Sequence, residues 1–393
     1  MTSSTISDEA RHARATLLRI SEPMTPLVHH VRRHGPEATV ADIRAGAPIP
    51  NVDTAALQHR LADSDASRDL DRAAVVGARL VCPGDAEWPT LLDDLARVDA
   101  DCFGLWVRGP HELAELCGRA VAIVGTRTAT PYGEHVAQEL AAELGERGWT
   151  IVSGLAYGID GAAHRAALAA TAATVGVLAC GIDVPYPRGH RSLYERIAGE
   201  GLVVTEHPPG SAPQRHRFLV RNRIIAGLSL GTVMVEAAAR SGARSTLNHA
   251  RDLLRHTMVV PGPVTSAMSL GCHVALREVV GSVLVTRAAE VIEQCGHLGE
   301  LADSLSPPPR PRDSLGPLVR RVFDGVPVRT AVPPQRIALA AGVRLEAVEP
   351  ALAALRALGL VEQTDSGWRM SKAGRDDRHA EGRPDLPLPL SWL

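Results

Sequence analysis

The feature that most restricts the fold is a regular alternation of apolar and helix-like segments between residues 120 and 286. Short runs rich in valine, isoleucine and alanine are typical of buried parallel strands. Seven such runs occur: AVAIVG (120–125), TIVSG (150–154), TVGVLACG (174–181), LVVTE (202–206), TVMVEA (232–237), MVVPG (258–262) and SVLVT (282–286). Helical patterns predict helices over 132–147 and from about residues 160, 189, 219 and 245. This alternation predicts βαβ units, and therefore an α/β fold with a doubly wound, mostly parallel sheet.

The chain of 393 residues is long enough for two or three domains. Before the α/β region, helical patterns broken by prolines predict a small helical module, and DCFGLWVRG (101–109) predicts an edge strand. SLSPPPRPRDS (304–314) predicts a linker. We divide the chain into a helical module (1–60), a connector (61–118), an α/β domain (119–295), a proline-rich linker (296–315), a second compact unit (316–371) and a flexible tail (372–393).

The unit after the linker has the element order of a winged helix-turn-helix domain. Helical patterns cover 318–323, 334–342 and 345–359, and VEQTDSGWRM (361–370) predicts a two-stranded wing. The third helix, which would read duplex DNA, carries one arginine and two glutamates, and we expect Pro350 to interrupt it. We therefore expect this unit to contact protein or to pack against its own chain rather than to bind duplex DNA.

Composition indicates a globular protein, because 45% of the residues are apolar and 22% are charged. No apolar run reaches the roughly 18 residues of a membrane span, and the first residues do not form a secretory signal. We therefore expect a cytoplasmic protein without membrane contact. The six cysteines form no C-x-x-C pair, and we expect no metal and no cofactor. A formal charge of −2 and 3% aromatic residues, taken as averages, argue against nucleic-acid binding.

Glycine-rich loops follow the first two predicted strands of the sheet, where ligands bind in such folds. GTRTATPYG (125–133) and SGLAYGIDGAAH (153–164) each combine a tight turn with a helix start. Free backbone amides and the guanidinium of Arg127 favour an anion, most often a phosphate. The candidate binding residues in these loops are Gly125, Thr126, Arg127, Ser153, Gly154 and Gly158. We interpret Asp160 and His164, which share a helical face, as a capping acid hydrogen-bonded to a histidine rather than as metal ligands.

The stretch SAPQRHRFLVRNRIIAG (211–227) concentrates positive charge around one aromatic residue. It contains no acid, and its polar and aromatic members are Arg215, His216, Arg217, Phe218, Arg221, Asn222 and Arg223. Basic side chains interleaved with an aromatic ring suit a phosphate track with one stacking surface. A solvated start of a basic helix is the alternative. The candidate binding residues selected from this stretch are Arg215, Arg217, Phe218, Arg221 and Asn222.

Glu236 follows the strand of TVMVEA (232–237) and lies at the same edge of the predicted sheet. Two interpretations are open, a catalytic carboxylate or, as we prefer, a supporting acid that orients nearby arginines. GTVMVE (231–236) is similar to the glycine-threonine-x-x-glutamate signature of cytokinin-activating nucleotide phosphoribohydrolases, displaced by one residue and without a preceding P-G-G. A hydrolase of this type is therefore the alternative function.

Taken in order, GTR, SGLAYGIDGAAH, CGIDVPYP, FLVRNRIIAGLS, VEAAARSG and VVPG resemble the bacterial DNA-processing protein A family, also called DprA or Smf, over about residues 85–290. The resemblance implies an extended Rossmann-like domain, a SAM-like helical module and a winged-helix domain. It also implies a non-enzymatic homodimer that protects single-stranded DNA and loads the RecA recombinase in natural transformation. The contacts with phosphates and bases that it implies are at Arg127, Ser153, Gly154, Arg215, Phe218, Arg221 and Asn222.

Three segments depart from the family pattern on the rim of the same site. They are SGARSTLNHA (241–250), LGCHVALRE (270–278), where Cys272 and His273 replace polar residues, and TEHPPG (205–210), where Thr205 replaces the serine that the family usually has before Glu206. These departures leave the contacts of that rim open and do not affect the arginine stretch.

Overall fold

A computed structural model describes residues 6–297 and 311–379 of the chain. These residues form two compact units, one within 6–297 and the other within 311–379. Most of the predicted proline-rich linker and residues 380–393 of the predicted tail lie outside the described residues. The domain limits drawn from the sequence stay predictions.

Helices open the first unit and extend past the predicted module limit at residue 60. They are α1 (Asp8–Ile20), α2 (Leu27–His34), α3 (Pro36–Ala45), α4 (Thr54–Ala62) and α5 (Ala66–Val75). Aspartates begin two of them, because the side chains of Asp53 and Asp65 accept the backbone N–H groups of Ala56 and Arg68. Pro36 is one of the prolines that separate the helical patterns: α2 ends at His34, and Pro36 is the first residue of α3, where its missing N–H costs nothing.

A nine-stranded sheet forms the centre of the first unit. Its strands are β1 (Ala78–Val81), β2 (Leu105–Arg108), β3 (Ala120–Val124), β4 (Thr150–Ser153), β5 (Thr174–Val177), β6 (Leu202–Thr205), β7 (Gly231–Met234), β8 (His256–Val259) and β9 (Val283–Leu284). The order is β1-β2-β6-β5-β4-β3-β7-β8-β9, and β3 to β9 are parallel. The prediction of an α/β fold with a mostly parallel sheet is therefore confirmed. The order reverses between β3 and β7, which is where such sheets bind ligands.

The prediction that 101–109 forms an edge strand is wrong. The strand β2 within it pairs antiparallel with both β1 and β6, and β1 occupies the edge. The strand β1 was not predicted because Arg79 interrupts its apolar residues; the side chain of Arg79 donates to Glu87 at 2.8 Å.

Helices cover both faces of the sheet. They are α6 (Leu113–Cys117), α7 (Pro131–Glu146), α8 (Ile159–Ala169), α9 (Arg191–Glu200), α10 (Arg215–Gly227), α11 (Ala243–Asp252), α12 (Leu270–Glu278) and α13 (Ala288–Cys295). Alternate residues of β3 divide between the two layers: Val121 and Ile123 pack with α7, α8 and α13, whereas Ala122 and Val124 pack with α10, α11 and α12. A strand buried on both faces explains the continuous apolar run in the sequence.

The N-terminal helices share a core with the sheet. Leu17 and Ile20 of α1 belong to the same buried apolar cluster as Trp106 of β2. An ion pair of 2.8 Å between Arg11 and Asp85 adds a polar contact to this junction. The helices and the sheet therefore form one unit.

The second unit consists of α14 (Pro317–Gly325), α15 (Pro334–Ala341), α16 (Leu345–Ala357), a hairpin of β10 (Val361–Thr364) and β11 (Gly367–Met370), and α17 (Lys372–His379). The expected interruption at Pro350 is wrong: α16 continues through it, because Val348, Ala351 and Leu352 on either side of the proline are packed into the core of the second unit. Residues 372–379, which the sequence assigned to a flexible tail, are helical. Assignment of the unit as a winged helix stays a prediction. None of the helices in the described parts of either unit is long and apolar enough to cross a membrane.

Candidate nucleic-acid interface

The loops after β3 and β4 are joined to each other at the carboxyl edge of the sheet. The backbone N–H of Ile159 donates to the carbonyl of Thr126 at 3.2 Å, and the N–H of Thr126 donates to the carbonyl of Glu236 at 2.7 Å. Gly158 has φ 74° and ψ −128°, and a Cβ there would lie 2.3 Å from the Thr126 carbonyl oxygen. Only glycine satisfies this turn, which brings the start of α8 against the first loop.

The polar side chains of the second loop are turned into the fold. Ser153 is fully buried, and its hydroxyl donates to the carbonyl of Ile123 at 2.6 Å. The carboxylate of Asp160 accepts the N–H of Gly154 at 3.2 Å. Burial raises the pKa of Asp160, while Arg221 and backbone N–H groups of both loops, including that of Gly125, favour its ionised form. Asp160 therefore holds the two loops together.

The sequence-based interpretation of an Asp160–His164 hydrogen bond is wrong. His164 Nδ1 lies 2.7 Å from the hydroxyl of Thr174, whereas Asp160 bonds to the loop backbone. The two side chains take different partners although they share a helical face. His164 is fully buried, and this burial lowers its pKa to about 3, so the ring is neutral at neutral pH.

Arg221 lies behind the second loop, with only 6% of its surface exposed. Its Nη1 donates to the carbonyl of Gly154 at 2.9 Å and also to the carbonyl of Val177. Burial lowers the pKa of Arg221 to about 10, Asp160 opposes this change, and the positive charge of Arg127 adds to it. Arg221 therefore stays charged at neutral pH beneath the loop, close to a second guanidinium.

The other arginines of α10 occupy different environments, although they are close in sequence. The helix begins at Arg215, earlier than predicted, and this side chain is exposed. Arg217 forms an ion pair of 2.5 Å with Glu22, and the fully buried Arg223 pairs with Glu206, with Nη2 2.7 Å from Oε1. Although the stretch itself contains no acid, Glu22 and Glu206, which are distant in sequence, neutralise Arg217 and Arg223.

Asn222 is buried on the same helix and contacts the loop after β7. Its side-chain amide donates to the carbonyl of Gly242 at 3.2 Å. Gly242 immediately precedes α11, within the segment that departs from the family pattern. Asn222 thus fixes the loop after β7 against α10.

Three aromatic residues surround a pocket beside Arg127. The Cζ atom of Arg127 lies 5.1 Å from the ring centroid of Phe218, and the ring of Tyr186 lies 5.3 Å from that of Phe218. The lining of this open pocket includes Arg127, Gly154, Tyr157, Tyr186 and Phe218. Such a pocket suits a flat ring that carries a negative group.

Sequence reasoning missed Tyr157 and Tyr186. Both are exposed at the pocket, and each belongs to a loop that follows a strand, after β4 and β5 respectively. An aromatic residue in a glycine- or proline-rich loop at this edge is the signal that could have found them, because loops at the carboxyl ends of parallel strands carry binding residues.

Glu236 lies at the point where the strand order reverses, with 1% of its surface exposed. Its carboxylate accepts the backbone N–H of Thr130 at 2.9 Å and the hydroxyl of the same residue at 2.6 Å. Its partners therefore belong to the start of α7 rather than to the arginines that the sequence suggested. A carboxylate with both oxygens bonded inside the fold does not favour the hydrolase alternative.

Comparison with known proteins gives a consistent set of relatives. The family model for DNA recombination-mediator protein A matches residues 79–296. A curated protein of Mycobacterium tuberculosis, described as a putative DNA processing protein DprA, is 44% identical over 391 residues, covering 95% of this chain and 98% of its own.

Solved structures of two DNA processing A proteins also resemble the chain. The structure from Streptococcus pneumoniae has a TM-score of 0.60 and 28% identity, and the match covers 74% of this chain and 97% of that one. A structure from Helicobacter pylori, which concerns the single-stranded DNA binding mode of that protein, has a TM-score of 0.47 and 28% identity, covering 52% of this chain and 91% of the other.

Proposed function

Because the chain belongs to the DNA recombination-mediator protein A family, also named DprA or Smf, we propose that it binds single-stranded DNA at the aromatic pocket and hands that DNA to the RecA recombinase. Family membership makes it a DNA-processing protein. The observation that best supports single-strand binding is that the guanidinium of Arg127 lies over the ring of Phe218, beside the ring of Tyr186. These three side chains line a pocket next to the glycine-rich loop after β4.

The pocket supplies both kinds of contact that a single strand needs. A nucleobase stacks on the rings of Phe218 and Tyr186, while Arg127 and the exposed Arg215 bind the phosphates that flank it. Stacking and phosphate contacts do not depend on the identity of the base, so binding tolerates many sequences.

A single strand fits this site better than a duplex does. A base in a duplex is stacked and paired, and placing it in the pocket would require its extrusion at a cost of a few kcal/mol. Because the phosphate contacts release counterions, affinity falls as the salt concentration rises.

The buried candidate residues fix the positions of the loops that form this site. Ser153, Asp160 and Arg221 hold the shape of the second loop through hydrogen bonds to backbone groups, and Asn222 holds the loop after β7. We assign them as positioning residues, whereas Arg127, Arg215 and Phe218 touch DNA. Arg217 becomes a phosphate contact when it leaves Glu22.

We propose further that the protein acts without catalysis or a cofactor, as a cytoplasmic homodimer in natural transformation, and that the second unit is a winged helix. Recombinase loading is tested by RecA filament formation on single strands already coated with a single-strand-binding protein. Sedimentation at several concentrations tests the homodimer.

The binding proposal is tested by fluorescence anisotropy with labelled oligothymidine and with a duplex of equal length. We expect preference for the single strand, and a loss of affinity of about tenfold or more in Arg127→Ala. Arg147→Ala is the matched control, because this exposed arginine ends α7 at the opposite edge of the sheet. Equal affinity of Arg127→Ala and the native protein for the single strand would refute the site assignment.

A further inference from the structure

Two aromatic walls of the pocket come from separate elements of the fold. Phe218 lies on α10, whereas Tyr186 belongs to the loop after β5, and their ring centroids are 5.3 Å apart. Residues 206–214, here named the β6–α10 connection, lead directly into α10 and are hydrogen-bonded to the loop after β5. The separation of the two rings therefore depends on where this connection is held.

Two hydrogen bonds join the β6–α10 connection to the loop after β5. The N–H of Gly210 donates to Oδ1 of Asp183 at 2.7 Å. The N–H of Gly181 donates to the carbonyl of Ser211 at 2.9 Å. A Cβ on Gly181 would lie 2.8 Å from Oδ1 of Asp183 and 2.9 Å from the nitrogen of Gly210, so the two backbones approach closely. Asp183 is three residues before Tyr186, and its bond to the connection therefore restrains the segment that carries this ring.

Arg19 of α1 ties the same connection to the N-terminal helices. Its Nη2 donates to the carbonyl oxygen of Pro209 at 2.9 Å, immediately before the glycine that bonds to Asp183. The guanidinium also forms a bidentate ion pair with Asp69 of α5, with Nε 2.7 Å from Oδ2 and Nη2 2.5 Å from Oδ1. Asp69 is buried, and a bidentate pair fixes the orientation of the guanidinium plane. Arg19 is therefore a rigid support for the Pro209 carbonyl.

Neither Arg19 nor Asp183 is suited to bind DNA itself. The charge of Arg19 is neutralised by Asp69, and the exposed carboxylate of Asp183 repels phosphates. Arg127, the phosphate contact of the proposed function, stands on the loop after β3 and so outside the connection. A change at Arg19 or Asp183 should therefore alter the stacking of the base and leave the contact of Arg127 with its phosphate.

We propose that Arg19 and Asp183 are positioning residues for base stacking, through which the N-terminal helices set the separation of the two rings. Arg19 fixes the Pro209 carbonyl, and Asp183 passes this constraint to the loop that carries Tyr186. This inference rests on the proposed function and deepens it, because it gives the N-terminal helices a part in holding the nucleobase rather than the phosphates.

The test compares labelled oligothymidine with an abasic oligonucleotide of equal length, by anisotropy on the full chain. Both strands carry the same phosphates, so the ratio of their affinities measures stacking, and we expect about tenfold preference for thymine in the native protein. Asp183→Ala should lower this ratio by about threefold or more. Asp183→Asn removes the same charge but keeps an oxygen that accepts the N–H of Gly210, and it should retain the native ratio.

Arg19→Leu combined with Asp69→Leu tests the contact with the N-terminal helices. It removes the bond to Pro209 without leaving a buried carboxylate unpaired, and the ratio should again fall by about threefold or more. Asp69→Asn is the control, because Arg19 stays in place to donate to Pro209, and we expect the native ratio.

The inference is overturned if Asp183→Ala keeps the native ratio, if Asp183→Asn lowers it equally, or if the Arg19 and Asp69 double variant matches its control. If Arg127→Ala binds both strands at native affinity and the native protein does not distinguish thymine from abasic DNA, the proposed function fails instead. Thermal unfolding of each variant confirms that the fold is retained. The two Asp183 variants change an exposed side chain, so they decide the inference even where the double substitution unfolds the helices.

Discussion

Glu22, in the segment after α1, forms an ion pair of 2.5 Å with Arg217 in the first turn of α10. The same carboxylate lies 3.5 Å from Nε2 of His216. Burial alone would raise the pKa of Glu22, but the hydrogen bond and charge of Arg217 lower it overall, so Glu22 is an anion at neutral pH. The segment after α1 thus neutralises Arg217, which is a candidate phosphate contact.

Glu22→Gln should therefore increase the affinity for single-stranded DNA. Removal of the carboxylate frees Arg217 for a phosphate, and we expect a gain of about twofold to fivefold at low salt, with a salt slope steeper by about 0.7. The measurement is anisotropy of labelled oligothymidine. Glu146→Gln, an equal change of charge at the end of α7, is the control. A gain that is the same in both variants would show a general effect of net charge.

Substitution by methionine should mainly lower DNA affinity at Arg215 and mainly lower stability at Arg223. Arg215→Met removes an exposed cation and should lower DNA affinity with a change in the free energy of unfolding below about 0.5 kcal/mol. Arg223→Met leaves the buried carboxylate of Glu206 without its partner and should lower the free energy of unfolding by about 3–5 kcal/mol. Urea unfolding and anisotropy on both variants measure the two effects. Equal stability of the two proteins would contradict this division of the helix.

The sheet was predictable from sequence because its evidence is local. Each of the strands β3 to β7 is an apolar run whose residues are all buried, and glycine-rich loops directly follow β3 and β4. The short strand β9 was found from its apolar run as well, although both of its residues are exposed. The strand β1 was not predictable, since Arg79 interrupts its apolar residues, and its partner Glu87 cannot be identified from the sequence.

The candidate site was predictable only in part, because its electrostatics depend on contacts distant in the chain. Nothing near Arg217 or Arg223 in sequence indicates that Glu22 and Glu206 neutralise them. The pocket is likewise built from loops that follow different strands, so the meeting of Tyr186 with Phe218 becomes visible only in the fold. The residue types identified the basic stretch in the sequence. Contacts between distant parts of the chain determine which of its arginines face solvent.

Gly158→Ala should disrupt the loops more than a substitution at an ordinary turn glycine. The new Cβ would meet the Thr126 carbonyl oxygen at 2.3 Å, in addition to the strain of φ 74°. We expect a loss of about 3 kcal/mol or more in the free energy of unfolding, together with weaker DNA binding. Gly281→Ala is the control, since its φ is +83° and the space around it is open, so only the backbone cost of about 1 kcal/mol applies. Equal losses in urea unfolding would show that the contact with Thr126 does not matter.

The buried His164 should make the protein less stable in acid. Its pKa is lowered by burial to about 3 in the folded state, against 6.5 when it is exposed, so between these values only the unfolded chain binds the proton. The stability contributed by the neutral ring is therefore complete above pH 6.5 and is lost as the pH falls, at about 1.4 kcal/mol per pH unit. His164→Gln removes this group, and urea unfolding from about pH 7 to about pH 4 should show a smaller slope of stability against pH. His135→Gln, at a ring that is more than half exposed, is the control for the substitution itself. A native slope in His164→Gln would mean that protonation of this ring does not oppose folding.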